Sequence, residues 1–226
     1  MNRDTIQHTT PSDIERTSMS IISGELEQKG IIIPEDRAAV VKRVIHTTAD
    51  FDYAENLCFT DDACRKAQKI MAGGCTIITD TNMAGSGVSK AAMKKLGCSA
   101  VCYMADPQTA ADAKKENTTR AVMSMRRAAA EYPSGIYAVG NAPTALLELC
   151  RLMDEGLRPS LIVAVPVGFV NVVEAKKAVF EKCRELGIPC IAAMGRKGGS
   201  TVAAAICNAL LYSAADFLDP AKRGWN

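Results

Sequence analysis

The chain has 226 residues, of which 48% are hydrophobic and 23% are charged, and this balance excludes a disordered protein. The 27 Lys and Arg residues nearly cancel the 25 Asp and Glu residues, leaving a net charge of +2. So small a charge provides no basic stripe for nucleic acid, and we expect no nucleic-acid partner. The longest apolar run, residues 161–170, is much shorter than the ~20 residues of a membrane-spanning helix, so we expect no membrane span.

The nine cysteines are odd in number, and no two of them have C-x-x-C spacing. Most of them lie inside apolar runs, where a reduced thiol acts as a small hydrophobic side chain. Neither histidine, His8 or His46, lies within ligand spacing of a cysteine pair, so we predict no metal site. Reduced thiols, together with a polar amino terminus that lacks the apolar segment of a signal peptide, predict a cytoplasmic protein.

The amino-terminal part contains three helical patterns, in residues 13–29, 35–50 and 61–71. Pro34 is followed by two acidic residues, which favours a helix start because carboxylates stabilise the positive end of the helix dipole. We therefore interpret residues 1–73 as a helical extension that packs on the rest of the chain.

From residue 75 onwards, short strand-like runs alternate with helical patterns. The predicted strands are residues 75–79, 99–103, 136–139, 161–165 and 190–193. The predicted helices are residues 90–96, 110–130, 142–154, 172–186 and 200–213. The strands are apolar on both faces, which is typical of a parallel sheet covered by helices on both sides. We predict one α/β domain over residues 1–226, with three α/β/α layers around a five-stranded parallel sheet.

Ligands of such sheets bind beyond the carboxyl ends of the strands. The segments that follow the strands there contain Asp80, Met83, Gly140, Asn141, Gly168, Phe169, Arg196, Gly199 and Ser200. Several combine glycine with a helix start, whose free N–H groups favour an anionic ligand. The alternative is that Gly and Asn serve here only as ordinary turn residues.

Two segments resemble nucleotide-binding motifs, but neither has the required residue spacing. Residues 195–201 have the composition of a phosphate-binding loop without the G-x-x-x-x-G-K-[ST] order. Gly85 and Gly87 begin a G-x-G-x-x-G pattern, but its sixth position is Lys90. We therefore predict no nucleotide cofactor.

His46 lies one helical turn after Arg43, on the face opposite to an apolar stripe that includes Val40 and Val44. It is therefore either an exposed surface histidine or a general acid–base, since imidazole titrates near neutral pH. Arg120 follows Thr119 within a predicted helix, where a solvated face is the alternative to a carboxylate-binding role.

The motifs occur in a specific order along the chain. They are Arg43-x-x-His46, Asp80-x-x-Met83, Thr119-Arg120, Gly140-Asn-Ala-Pro-Thr-Ala-Leu146, Pro166-Val-Gly-Phe-Val170, Glu174-Ala-Lys176 and Gly195-Arg-x-Gly-Gly-Ser200. In this order the chain closely resembles the precorrin-8X methylmutases, also called cobalt-precorrin-8 methylmutases, over about residues 14–214. Met19 and Ala175 depart from the family pattern, which expects an aromatic residue and a serine.

The resemblance implies a flavodoxin-like fold, a homodimer and no cofactor. It implies a corrin precursor with several carboxylates as substrate, and migration of a methyl group from C-11 to C-12 of ring C to give hydrogenobyrinate or cobyrinate. It implies that His46 handles the proton and that Ser18 and Arg43 contact the substrate. Candidate partners for the carboxylates are Arg120, Lys176, Arg196 and the helix starts at Asn141 and Ser200, with Met83 and Phe169 against the macrocycle.

Two alternatives remain from the residues alone: a non-catalytic corrin carrier, and a flavodoxin-like module that binds a phosphate or a nucleotide. Whether the substrate already carries cobalt is also open, although the cysteine-rich composition favours the anaerobic, cobalt-bearing route.

Overall fold

The computed structural model describes residues 10–224, so the predicted solvation of His8 lies outside the described residues. The helices are α1 (Pro11–Gln28), α2 (Glu35–Thr48), α3 (Tyr53–Asn56), α4 (Ala63–Ala72), α5 (Asn82–Gly87), α6 (Lys90–Leu96), α7 (Pro107–Lys115), α8 (Arg120–Glu131), α9 (Pro143–Asp154), α10 (Val172–Leu186) and α11 (Ser200–Ala214). The strands are β1 (Leu57–Phe59), β2 (Thr76–Thr79), β3 (Ser99–Val101), β4 (Ile136–Val139), β5 (Leu161–Ala164) and β6 (Cys190–Ala193). A 3-10 helix, Pro220–Arg223, follows α11.

The strands form one sheet in the order β1-β6-β5-β4-β2-β3. Strands β2 to β6 are parallel, and their order is that of flavodoxin-like sheets. Strand β1 is antiparallel to β6, with Leu57 opposite Ala193. The prediction of five strands was therefore wrong by one strand, and the segment before residue 73 is not wholly helical. Three residues directly after a helical turn are too few to show a strand period.

Alternate residues of each central strand face two different cores, which confirms the three-layer architecture. On β4, Ile136 packs in a core with α1, α2, α4 and α11, whereas Tyr137 packs in a core with α8, α9 and α10. Both side chains are fully buried. The helical amino-terminal segments thus cover one face of the sheet together with α11.

The single helix predicted over residues 110–130 is two helices, α7 and α8. The chain breaks at Asn117, which has a left-handed φ of 50°. The hydroxyl of Thr119 then caps α8 by accepting the N–H of Val122 at 3.2 Å. Asn and Thr favour such turns and caps over helix interiors, so Arg120 lies at a helix start and not in mid-helix.

Within residues 10–224 no helix is both long enough and apolar enough to cross a lipid bilayer.

Candidate active site

Four polar residues face one another across α1 and α2. Glu15 and Ser18 are one turn apart on α1, and Arg43 and His46 are one turn apart on α2. The opposite face of α2, which includes the fully buried Val44, packs against α11. The apolar stripe thus fixes the helix and turns Arg43 and His46 towards α1.

His46 is held by a side chain of the other helix. Its Nδ1 lies 2.7 Å from Oγ of Ser18, which leaves Nε2 as the ring nitrogen for a ligand. Partial burial of the imidazole and then the charge of Arg43 lower the pKa of His46, with a further contribution from Arg223. Glu15 opposes them and raises it. Without a ligand, His46 is therefore biased towards the neutral form.

Glu15 joins two arginines beside this histidine. Its Oε1 accepts a hydrogen bond from Arg43 and another from Arg223, each at 2.5 Å. Burial by itself would raise the pKa of Glu15, but these bonds and charges outweigh burial and lower the pKa. Both guanidinium groups also lie over the ring of Tyr212, 5.2 Å and 4.5 Å from its centroid. One carboxylate thus holds two arginines beside His46.

An open cleft of about 590 Å³ lies beside the network. Arg43 and His46 line one side, and Met83 of α5 and Thr201 and Asn208 of α11 line the other. A second hollow, of about 450 Å³, lies along α1 and is lined by Ser18, His46 and apolar side chains. His46 therefore borders both spaces.

The carboxyl ends of β2 and β4 are joined by Asp80, which is fully buried. Its carboxylate accepts the N–H groups of Gly140, Asn141 and Ala142 at 2.7–2.8 Å. We expected Asp80 among the ligand-binding residues, but in this arrangement its oxygens hold the loop that opens α9. Burial raises its pKa, against the effect of these N–H donors.

The loop after β4 touches the start of α11. A Cβ added to Gly140 would lie 2.8 Å from Cα of Ser200, so only glycine fits this approach. Oγ of Ser200 lies 2.8 Å from Oγ1 of Thr81, the cap of α5. These contacts fix the start of α11, whose second residue, Thr201, lines the cleft.

Lys176 supports the loop between β6 and α11. It is fully buried, and its Nζ donates to the carbonyls of Gly195 at 3.0 Å and Lys197 at 2.8 Å. Burial lowers its pKa to about 8. The expectation that Lys176 binds a substrate carboxylate does not agree with this position, because its ammonium is directed at backbone oxygens.

The other predicted residues lie along the carboxyl edge of the sheet and are not among the residues that line the cleft. The N–H of Gly168 donates to the carbonyl of Arg196 at 3.2 Å, and the Arg196 guanidinium lies 5.4 Å from the Phe169 ring centroid. Phe169 is 83% exposed. Exposed positions are also held by Thr119, Arg120 and Asn141, and Gly199 is the residue before α11.

Of the predicted residues, His46, Arg43 and Met83 line the larger cleft, and Ser18 joins them through His46. Glu15, Tyr212 and Arg223 were not predicted from the sequence. Glu15 had a usable signal, since it precedes Ser18 by one helical turn. Among the described residues, no group of three His, Cys, Asp or Glu side chains is placed to hold a metal ion.

Comparisons with known proteins agree on one family. The family model described as precorrin-8X methylmutase matches residues 13–213. The chain is 40% identical to the cobalt-precorrin-8 methylmutase of Priestia megaterium, over 88% of this chain and 87% of the relative. It is 41% identical to the enzyme of that name from Salmonella typhimurium, over 89% and 95%. Identity to the precorrin-8X methylmutase of Pseudomonas aeruginosa is 32%, over 87% and 93%.

A solved structure has the same fold. The crystal structure of precorrin-8X methylmutase from Thermus thermophilus superposes with a TM-score of 0.80 at 36% identity, covering 90% of this chain and 98% of that one. The family model spans α1 and α2 with Ser18 and His46, as well as the strands and the loops beyond them. Sequence, fold and the order of the motifs therefore lead to one conclusion: the chain belongs to the precorrin-8X methylmutase family.

Proposed function

We propose that the protein moves a methyl group from C-11 to C-12 of ring C of cobalt-precorrin-8, giving cobyrinate, with His46 as the acid–base group. The observation that carries the proposal is the Ser18–His46 hydrogen bond at the edge of a cleft that also contains Arg43. The cobalt-bearing substrate is favoured because relatives named for it are 40% and 41% identical, against 32% for one named for precorrin-8X.

The reaction needs an acid but no methyl donor, because the methyl group moves within one molecule together with its bonding electron pair. His46 in its imidazolium form donates a proton to the conjugated ring system as the charge distribution changes. An isomerisation leaves the atom count unchanged, so the ring system must lose one proton again, and a proton taken up by His46 restores its imidazolium before the next turnover. General acid–base help of this kind contributes typically ~10²–10⁴-fold.

The substrate's carboxylates bind to cations and N–H groups spread around a wide site. Arg43 lies in the cleft, and Arg120 and Arg196 are exposed along the edge of the sheet. The helix start at Ser200 adds backbone N–H donors, whereas the N–H of Asn141 already donates to Asp80. Bidentate arginine contacts suit propionate and acetate groups. Met83 and Phe169, 67% and 83% exposed, are apolar surfaces for the macrocycle.

The active form in this proposal is a homodimer. Ile14 and Ile21 of α1 are 48% and 55% exposed and border the hollow that contains Ser18 and His46. A second copy covering them would also narrow an otherwise open site. Light scattering on the purified protein then gives twice the 24.1 kDa of one chain, whereas a mass of one chain at micromolar concentration contradicts this part of the proposal.

The decisive test is the visible absorption spectrum of cobalt-precorrin-8 after incubation with the protein. Wild type converts the spectrum to that of cobyrinate, and His46→Asn binds the corrin without converting it. His8→Gln, which removes the chain's other histidine, serves as the matched control and retains activity. Full activity of His46→Asn contradicts the mechanism. Binding without conversion by wild type indicates a carrier instead.

A further inference from the structure

We infer that Arg223, in the carboxyl-terminal 3-10 helix, is a positioning residue that acts through Glu15 to fix Arg43 and the charge around His46. Its catalytic meaning rests on the proposed function. The region that matches the family model ends at residue 213, so this role belongs to a segment beyond the match.

The contact is buried and specific. The side chains of Arg223 and Glu15 are only 3% and 6% exposed, and that of Arg43 is 12% exposed. One carboxylate oxygen, Oε1 of Glu15, accepts both arginines at 2.5 Å. The same two guanidinium groups lie over the ring of Tyr212. Arg223 and Arg43 are therefore held together by one carboxylate oxygen and one aromatic ring.

A second contact also attaches the 3-10 helix to α1. An experiment can therefore separate a role of Arg223 in attaching this helix from a role in positioning Glu15. Arg16 bonds to Asp219 at 3.1 Å, with both side chains about half exposed. Asp219 also caps the 3-10 helix by accepting the N–H of Ala221. If Arg223 served only to attach this helix, loss of the Arg16–Asp219 pair would have the same effect as loss of Arg223.

The charged and titratable groups that line the two hollows beside His46 lie on four helices. They are Glu15 and Glu25 of α1, Arg43 of α2, Tyr212 of α11 and Arg223 of the 3-10 helix. Removing Arg223 deletes one positive charge and leaves Glu15 paired with Arg43 alone. Removing the charge of Glu15 deletes the negative charge that raises the pKa of His46. The two changes must therefore move the pKa of His46 in opposite directions.

The experiment is an NMR titration of histidine-labelled protein without substrate. The chain has two histidines, and the signal lost in His46→Asn identifies His46. We expect Arg223→Gln to raise the pKa of His46, Glu15→Gln to lower it, and Arg223→Lys, which keeps the charge, to stay near wild type. Arg16→Ala is the matched control and leaves the His46 titration unchanged.

An unchanged pKa in Arg223→Gln overturns the inference, as does an equal shift in Arg16→Ala. If Arg223→Gln does not fold, Arg223→Met, which keeps an unbranched side chain over Tyr212, decides: a raised pKa of His46 supports the inference and an unchanged one overturns it. The titration needs no corrin. Failure of the proposed function would appear separately, as a wild-type protein that folds and titrates as described but converts no cobalt-precorrin-8.

Discussion

The hydroxyl oxygen of Ser18 lies 2.7 Å from Nδ1 of His46, and the two residues belong to different helices. A hydrogen bond at Nδ1 fixes both the plane of the imidazole and the nitrogen left for chemistry. The orientation of the proposed acid therefore depends on how α1 packs on α2. Residues of that helix pair deserve the same kinetic tests as His46 itself.

Ser18→Ala removes that hydrogen bond while leaving the imidazole in place. We expect kcat to fall about fivefold, because a hydrogen bond of this kind contributes ~1 kcal/mol, and we expect KM to change little. Steady-state kinetics with cobalt-precorrin-8 measure both. Ser23→Ala is the matched control on the same helix, since its hydroxyl donates only to the carbonyl of Met19. A Ser18→Ala enzyme with wild-type kcat contradicts the positioning role.

The pH dependence follows from the lowered pKa of His46, which burial and then Arg43 cause. If the imidazolium is the active form, kcat/KM of the free enzyme decreases as pH rises through a value below the ordinary ~6.5 of histidine. A bound polycarboxylate raises the pKa, so the corresponding decrease in kcat occurs at higher pH. Measuring kcat and kcat/KM as a function of pH tests this prediction. A decrease in kcat at a lower pH than the decrease in kcat/KM contradicts it.

In the wild type, three backbone N–H groups donate to the carboxylate of Asp80. Asp80→Asn replaces one of the two acceptor oxygens with an NH2 group, which is itself a donor. At least one of the three N–H groups then loses its acceptor in a buried place, so we expect a loss of ~1–3 kcal/mol in the free energy of unfolding. Urea unfolding followed by circular dichroism measures it. Asp106→Asn, at the cap of the exposed start of α7, is the comparison and loses less. Equal losses would contradict the role of Asp80 as a buried support.

Gly140→Ala places a methyl group 2.8 Å from Cα of Ser200. The loop after β4 and the start of α11 must then separate, and we expect a loss of ~1–3 kcal/mol in stability together with a raised KM. Gly24→Ala is the matched control: it lies in helix α1 with no atom within 4 Å of the added Cβ. That substitution should stabilise the protein by roughly 0.5–1 kcal/mol. Thermal unfolding separates the two outcomes.

The sequence predicted the central strands well because their signal is local. Strands β4 and β6 occupy the predicted residues, since buried parallel strands are apolar on both faces. Strand β1 was missed because its pairing with β6 crosses most of the chain and its three residues carry no period of their own.

The site was predictable in part, for a similar reason. His46 and Arg43 could be placed on one helix face from spacing alone. The contact between Arg223 and Glu15 joins residues 208 positions apart, so no local sequence pattern predicts it. The burial of Lys176 could have been predicted from the sequence. Its position has the helical spacing of Val172, Val179 and Cys183, which are buried, and this spacing favours an inward-facing side chain.

Helix α11 has a consequence for how this protein is made. It packs against α2, α4, α5 and α6, yet it begins only at Ser200 of 226 residues. Until it leaves the ribosome, Val44 of α2 and Met71 of α4 lack the apolar surface that buries them completely in the finished molecule. The nascent chain therefore exposes an incomplete core to chaperones until α11 has been synthesised.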